Sequence, residues 1–459
     1  MYLAHAFGQR YDLPIPLALF VVGGAAVVVV SFLLVFRRSV DAEQLVATDP
    51  VPPAPLRPGR AAVSLLVLAF VVVVGLLGKQ ELSENVDPTL FWIVVWIVVP
   101  LSCGLLGDWT RTVNPFAVLA RLSSRTGVRK ALLARTEPLP WRLGWWPAVV
   151  LFALMVLGEL VFNLTATVPS FIGGALLVYV LLSGAAGLLF GAGWLERGEV
   201  FSVLFDVWGR LGYWRHGAPG RRGFAGGLDV PFEACVSRVV FVLLMLVNIN
   251  FDGLTGTQRW TRFERQTLGA SGAPLEAVKA LSLLVLVLVV LTLFGVFATA
   301  AARAGRHGTT FLPSLAGLLP SLVPIAFGYL IAHYCSYLVT NLQLLFPLIG
   351  NPGFTGWPIT LPFPFSDSYE VHLTLLPTSF YWYLSLAAIV LAHVAAVLLA
   401  HRHLGTRTAD EQRARASEYP WLVAMVLYTV FSLFLIAQTE ATETAAPEKP
   451  AAVASSRSG

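Results

Sequence analysis

The chain has few charged residues. Asp, Glu, Lys and Arg make up 12% of its 459 residues, whereas roughly 25% is usual for a soluble domain. Apolar residues make up 56%, and the mean hydropathy is +0.73. So few charged side chains cannot cover a water-exposed surface of this size, which excludes a soluble globular protein. The composition predicts an integral membrane protein that has the lipid bilayer as its first partner.

Cysteine is scarce as well, and the common catalytic signatures are absent. Cys103, Cys235 and Cys335 lie within or beside apolar segments at no metal-binding spacing, which is typical of small buried residues rather than of a disulfide framework or a zinc site. The sequence contains no phosphate-binding loop, dinucleotide fingerprint, zinc-protease helix or serine-hydrolase elbow. The net charge of +5 does not indicate nucleic acid, because the basic residues lie in loops between apolar spans.

Long apolar segments are abundant. A spanning helix needs about 20 mainly apolar residues, and ten segments approach that length, so we predict an all-α bundle of about ten transmembrane helices. The eighth segment carries Pro313, Pro320 and Pro324, which predicts a kinked or broken helix. We assign 1–438 to one transmembrane domain and predict a disordered tail over 439–459. The ten segments are 15–36, 61–77, 90–107, 145–164, 168–191, 239–251, 278–302, 312–345, 378–401 and 420–438.

The basic residues predict the orientation of the chain. Cytoplasmic loops of membrane proteins carry an excess of Lys and Arg. Alternate loops, beginning with 37–60, hold 23 of the 31 basic residues, whereas the two termini and the remaining loops hold 8. This asymmetry predicts that both termini lie outside. Arginines outnumber lysines 27 to 4 in a chain rich in Ala, Val, Gly and Leu, which is typical of GC-rich bacteria and predicts a bacterial inner membrane.

Polar residues inside the spans are the candidates for function, because each is costly in hydrocarbon. Glu159 lies 14 residues into the fourth segment, Asn248, Asn250 and Asp252 end the sixth, and His333 and Tyr337 lie in the eighth. The predicted orientation places all of them in the outer half of the bilayer. The N-terminus adds His5, Arg10 and Tyr11 on the same side.

This arrangement predicts an outward-facing pocket. We assign Glu159, Asp252 and His333 as its catalytic residues, Arg10, Tyr11, Asn248 and Tyr337 as substrate-binding residues, and His5 and His333 as ligands for a divalent metal. Alternatively, Glu159 and Asp252 pair with Arg10, Arg238 or a histidine and only fix the packing of the helices. The substrate of such a pocket would be a small molecule.

His393 is a separate case, since it lies on the inner half of the ninth segment. It is a conceivable axial haem ligand with His333 as its partner, but the two histidines lie at different depths. We therefore expect His393 to be a hydrogen-bonded buried histidine and expect no haem.

Several blocks of the sequence resemble a family of polytopic bacterial membrane proteins that are commonly labelled fenitrothion hydrolases. The resemblance implies cleavage of organophosphorus esters, and it supplies no motif that would assign catalytic residues. The blocks are AHAFGQRYDLPIPL (4–17), TRTVNPF (110–116), WLERGEVFSVLF (194–205), VSRVVFVLLML (236–246), SLVPIAFGYLIAHYCSYL (321–338) and YPWLVAMVLYTVFSLFLIAQ (419–438).

Two functions therefore remain open from the sequence. One is a membrane-embedded hydrolase with a metal-activated water, as phosphotriester cleavage usually requires. The other is a transporter or carrier of a small solute, metal or cofactor that uses the same pocket. The interrupted eighth span favours transport, since broken helices often line binding sites in transporters.

Overall fold

The protein is a bundle of helices, seen here in a computed structural model that describes residues 22–27, 29–30, 32, 56–216, 223–271, 274–408 and 410–443. The described part contains no β-strand longer than a single bridge, which confirms the all-α fold. The first predicted span, 15–36, lies mostly outside the described residues, and those of its residues that are described are helical. Short helical turns connect several of the longer helices.

The helices that organise the bundle are numbered here in chain order. They are α1 Pro58–Leu77, α2 Val86–Leu106, α3 Pro115–Ser123, α4 Thr126–Leu133, α5 Trp146–Leu160, α6 Pro169–Phe190, α7 Val200–Gly209, α8 Val236–Thr255, α9 Gln258–Ser271, α10 Leu275–Ala304, α11 Phe311–Ala316, α12 Leu322–Asn341, α13 Leu345–Gly350, α14 Thr378–Gly405 and α15 Glu411–Glu443.

Eight stretches of the described chain are long and apolar enough to cross a membrane, which supports a multi-pass membrane protein. They are α1, α2, α6, α8, α10, the run Phe311–Gly350 that contains α11 to α13, α14 and the part of α15 up to Leu435. α5 is apolar but only 15 residues long. The predicted break in the eighth span is confirmed, because helix α11, a turn of 3-10 helix around Pro320 and helix α12 follow one another there.

Prolines and caps set several helix starts. Pro58, Pro115 and Pro169 occupy the first position of α1, α3 and α6, where the missing N–H has no intrahelical partner to lose. Asn114 caps α3, because its side-chain oxygen accepts the N–H groups of Phe116 and Ala117. The polar segment before Asn114 therefore ends at a helix cap.

The centre of the bundle is formed by α8 and α12. Most residues of α8 and of Phe311–Gly350 are buried, whereas α1 and α10 leave most of their apolar side chains at least partly exposed. Exposed apolar side chains of this kind are suited to lipid tails. α12 packs most extensively against α14, and α8 contacts α5, α10, α12 and α15. Any polar group on α8 or α12 is therefore held deep inside the bundle.

The loops fall into two groups, one at each end of the bundle. At one end, the Lys79 N–H donates to the Gly353 carbonyl (2.7 Å) and the Ser170 N–H donates to the Gln80 side chain (2.9 Å). At the other end, Arg402 pairs with Asp229 at 2.8 Å. These are the same groups of loops that the alternation of charge separates. We call the first the predicted outer end and the second the predicted inner end.

The orientation itself is testable with reporter fusions. We expect fusions after Arg38, Arg125 and Arg407 to report a cytoplasmic location, because 23 of the 31 basic residues lie in that set of loops. A fusion at the C-terminus should report the opposite side. A cytoplasmic C-terminus would mean that one span has been miscounted. The interrupted run Phe311–Gly350, which is counted as one span, would be the first to be reassigned.

Candidate functional site

Three helices bring polar side chains together near the predicted outer end. Glu159 lies in the last turn of α5, and Asp252 lies in the last turn of α8. His333 and Tyr334 are consecutive residues of α12. The helices place these four side chains at one depth because α5, α8 and α12 all run towards the predicted outer end.

The four side chains form two pairs. His333 Nε2 lies 2.8 Å from Asp252 Oδ2. The Tyr334 hydroxyl donates a hydrogen bond of 2.5 Å to Glu159 Oε1. Adjacent residues of a single helix thus hold one carboxyl group from each of two neighbouring helices. The structure therefore brings together all three side chains that were predicted to be catalytic.

Aromatic side chains surround the pairs. Tyr337 lies one turn after His333 on α12, and both Tyr334 and Tyr337 lie within electrostatic range of the two carboxyl groups. The rings of His333 and Tyr334 meet edge to face at 4.6 Å. Trp96, from the π-helical stretch Thr89–Val98 of α2, faces the Tyr334 hydroxyl. Wide turns of this kind often occur at functional sites.

Burial differs between the members of the site. The side chain of Asp252 is 6% exposed and Tyr334 is 3% exposed, whereas the His333 side chain is 16% exposed. A carboxylate in such surroundings needs a partner, since an unpaired charge there is costly. The Asp252 carboxyl group lies 2.8 Å from His333 Nε2 and fixes the orientation of the His333 ring. The site thus combines two carboxyl groups, an imidazole and two phenol groups, all of which are acid–base groups.

The remaining predicted residues have different outcomes. Asn248 is buried one turn before Asp252, on the same face of α8. His5, Arg10 and Tyr11 lie outside the described residues. Within the part of the chain that the structure describes, no three His, Cys, Asp or Glu side chains are grouped closely enough to hold a metal ion. Because His5 lies outside the described residues, its predicted role as a metal ligand stays a prediction.

Arg238, an alternative partner for the two carboxyl groups, lies elsewhere. It is 14 residues before Asp252 on α8, about 21 Å along a straight helix. Its guanidinium group stacks on Trp145, 3.8 Å from the ring centre, and lies 3.8 Å from the carboxyl group of Asp206. The prediction that Arg238 pairs with Glu159 or Asp252 is wrong, because the length of α8 separates them.

Asp206 belongs to a charged cluster at the predicted inner end. Arg111 lies 3.0 Å and Arg210 lies 3.3 Å from its carboxyl group. Burial alone would raise the pKa of Asp206, but the guanidinium groups of Arg210, Arg111 and Arg238 outweigh it and lower the pKa to about 2. Arg111 also pairs with Asp108 at 3.1 Å. This cluster joins α7 to the segment before α3 and fixes the packing at that end.

His393 has hydrogen-bond partners for both ring nitrogens. Its Nδ1 lies 2.7 Å from the Ile389 carbonyl, and its Nε2 lies 2.7 Å from the Thr429 hydroxyl. The ring is 1% exposed and packs edge to face with Tyr329. Ligation of a haem iron would require the bond to Thr429 or to Ile389 to break. The geometry is that of a hydrogen-bonded buried histidine.

Sequence reasoning missed Glu199, which is fully buried at the start of α7. Its carboxyl group accepts five hydrogen bonds, from the side chains of Asn114, Tyr179 and Ser202 and from the N–H groups of Phe201 and Ser202. The signal available in the sequence was an acidic residue immediately before the apolar run VFSVLF. Glu199 ties α3, α6 and α7 together at the predicted inner end.

No family model, curated protein or solved structure matches the chain.

Proposed function

We propose that the protein is a membrane transporter for a small solute, with the cluster of Glu159, Asp252, His333, Tyr334 and Tyr337 as its binding site. The observation that carries the proposal is the pairing of two membrane-embedded carboxyl groups with consecutive residues of one helix. Ionisable groups inside a membrane protein commonly mark solute pathways and proton relays. His333 with Asp252 and Tyr334 with Glu159 supply such groups.

The position of α12 supports transport rather than a fixed structural role. It belongs to the run Phe311–Gly350, in which 3-10 turns at both ends of the continuous helix α12 separate it from the short helices α11 and α13. Interrupted helices frequently form solute sites in transporters. A shift of α12 relative to α5 and α8 would separate both pairs at once. Binding of a solute between the pairs could favour one of the two arrangements.

Hydrolysis of a phosphoric ester is the second candidate, and the Asp252–His333 pair is the observation that favours it. A carboxyl group that orients a histidine is a common arrangement for a general base. With Nε2 held by Asp252 at 2.8 Å, a proton from the attacking water would move to Nδ1. The water oxygen would then bond to phosphorus while the alcohol or phenol group leaves. The resemblance to proteins labelled fenitrothion hydrolase points to the same reaction.

One preparation distinguishes the two functions. We would reconstitute the purified protein into liposomes and record currents on a solid-supported membrane after adding sodium, zinc, methylammonium, acetate or phosphate. The same liposomes would be incubated with fenitrothion to measure release of its nitrophenol product. Transport predicts a current with at least one solute and no product. Product release that saturates with fenitrothion, in the absence of any current, would contradict the transport proposal and favour the hydrolase.

A further inference from the structure

A second group of polar side chains lies directly below the candidate site. The Asn250 amide donates to the Tyr428 hydroxyl, and the Tyr428 hydroxyl also lies 3.3 Å from the Leu246 carbonyl. The Ser432 hydroxyl lies close to the hydroxyls of both Tyr329 and Tyr428. The two tyrosines and Ser432 are at most 2% exposed. We call Asn250, Tyr329, Tyr428 and Ser432 the tyrosine cluster.

The tyrosine cluster is one helical turn from the candidate site. Tyr329 precedes His333 by four residues on α12, which places both on one face about 6 Å apart along the axis. Asn250 precedes Asp252 by two residues on α8, so it faces α15 rather than α12 and is the member of the cluster that contacts Tyr428. The cluster therefore continues the line of polar groups from the site towards the middle of the bundle.

His393 and Thr429 follow next in this line. Thr429 is the neighbour of Tyr428 on α15, and the His393 ring meets the Tyr329 ring edge to face with centres 6.2 Å apart. A carbonyl oxygen only accepts hydrogen bonds, so the contact with the Ile389 carbonyl places a hydrogen on His393 Nδ1. Nε2 of the neutral ring is then the proton acceptor, and it faces the Thr429 hydroxyl at 2.7 Å.

The Thr429 hydroxyl allows His393 to exist in two protonation states. Its oxygen lies 2.7 Å from His393 Nε2 and 2.7 Å from the Met425 carbonyl. When His393 is neutral, the hydroxyl donates to Nε2. When His393 takes up a second proton, Nε2–H donates to the hydroxyl oxygen, and the hydroxyl turns to the Met425 carbonyl. Both states keep their hydrogen bonds without any movement of the backbone.

A further acid–base pair lies near the predicted inner end. His401 Nδ1 lies 2.9 Å from Glu418 Oε1, and both residues are at most 9% exposed. His401 follows His393 by eight residues on α14, about 12 Å along the axis. Val397 lies midway between them, four residues from each, and is 2% exposed. A small cavity lined by Val397, His401, Glu418 and Met425 reaches into this interval.

We propose that this line of residues is a proton path across the membrane and that Val397 closes it. Protons enter at the Asp252–His333 pair, pass the tyrosine cluster to His393 and cross the apolar layer around Val397 to reach the His401–Glu418 pair. Within the polar groups, each step breaks one O–H or N–H bond and forms another on the next lone pair, so one proton moves and no redox partner is needed. The Val397 side chain has no lone pair to accept a proton, which is why it closes the path. Transport at the candidate site would thereby be coupled to protons, and this coupling rests on the proposed function.

The titratable groups of the path itself come from four helices, and Glu159 of α5 faces its entrance together with Tyr334 and Tyr337. α10, which also packs against α15, contributes the apolar Phe294 against Tyr428 and Trp421. His403 is turned away to the Leu228 carbonyl, and Arg402 pairs with Asp229. The titratable groups along the path are Asp252 on α8, Tyr329 and His333 on α12, His393 and His401 on α14, and Glu418 and Tyr428 on α15.

The experiment is to bridge the apolar layer with a titratable side chain. We would replace Val397 by histidine and measure acidification inside liposomes that contain a trapped pH dye, with a potassium diffusion potential and no solute. The Val397→His variant should leak protons roughly tenfold faster than the wild type or more, because its ring lies four residues from both His393 and His401. The double variant Val397→His/His393→Gln should return to the wild-type rate.

Leu398→His is the matched control. Leu398 is the next residue of α14 and is 37% exposed on the outside of the bundle, so a histidine there should not raise the leak. Size-exclusion profiles of all variants establish that the liposomes contain folded protein. A second titratable variant, Val397→Asp, covers the case in which Val397→His does not fold. The proton path would be overturned if a folded variant with a titratable residue at position 397 leaked protons at the wild-type rate. It would also be overturned if the faster leak persisted in the double variant that lacks His393. Because no solute is used, this outcome is independent of the solute currents that test the transport function.

Discussion

Replacing Glu199 by alanine should prevent most of the protein from folding. The change removes the acceptor of five hydrogen bonds and leaves donors from Asn114, Tyr179 and Ser202 buried without it. An unsatisfied buried donor costs roughly 1–3 kcal/mol, so we expect a loss of more than about 3 kcal/mol in the free energy of unfolding. Folded yield and the apparent melting temperature in detergent, followed by fluorescence-detected size exclusion, measure the effect.

Glu196→Ala is the control for this prediction. Glu196 lies three residues earlier in the chain and is exposed, so its removal should leave the melting temperature unchanged. If the apparent melting temperature of Glu199→Ala equals that of the wild type, the five hydrogen bonds do not hold α3, α6 and α7 together.

The spans could be predicted because the bilayer fixes the length and the polarity of each helix. Nine of the ten predicted segments, from 61–77 to 420–438, overlap helices of the structure. The sixth was predicted as 239–251, and α8 extends it at both ends, to Val236 and Thr255. Helix ends differ by several residues elsewhere, as in α14, which continues beyond 401 to Gly405.

The depth of each site residue in the bundle could also be predicted, but not which neighbouring helix its side chain faces. Counting residues from the start of a span gives the depth, since each residue rises 1.5 Å. Depth alone did not show that Tyr334, rather than an arginine or histidine, is the partner of Glu159. That pairing depends on the rotation and packing of α5 and α12, which no pattern within a single helix contains.

Glu199 escaped prediction for a different reason. The apolar run that it begins ends at Gly209 and forms α7, a helix of only 10 residues. Such a run is too short to be recognised as a span, and its periodicity cannot distinguish a buried short helix from one at the membrane surface. Only the packing of α7 against α2, α5 and α12 shows that it is buried.

The second large effect is expected at Glu159. Glutamine has nearly the volume of glutamate but does not titrate, so Glu159→Gln can still accept the hydrogen bond from Tyr334 while losing the ability to carry charge. The variant should therefore fold with nearly the wild-type yield. If the site binds the transported solute through its acid–base pairs, the solute-evoked current should fall roughly tenfold or more, because a functional intramembrane carboxylate is not replaceable by an amide.

The binding site is tested most directly by comparing three proteins on the same solid-supported membrane: wild type, Glu159→Gln and Glu81→Gln. Glu81 is an exposed carboxylate at the same end of the bundle, and its variant controls for the loss of one charge. With a solute that evokes a current in the wild type, we predict a full current for Glu81→Gln and almost none for Glu159→Gln at equal amounts of reconstituted protein. A wild-type current from Glu159→Gln would mean that the cluster of Glu159, Asp252, His333, Tyr334 and Tyr337 only packs the helices and is not the binding site.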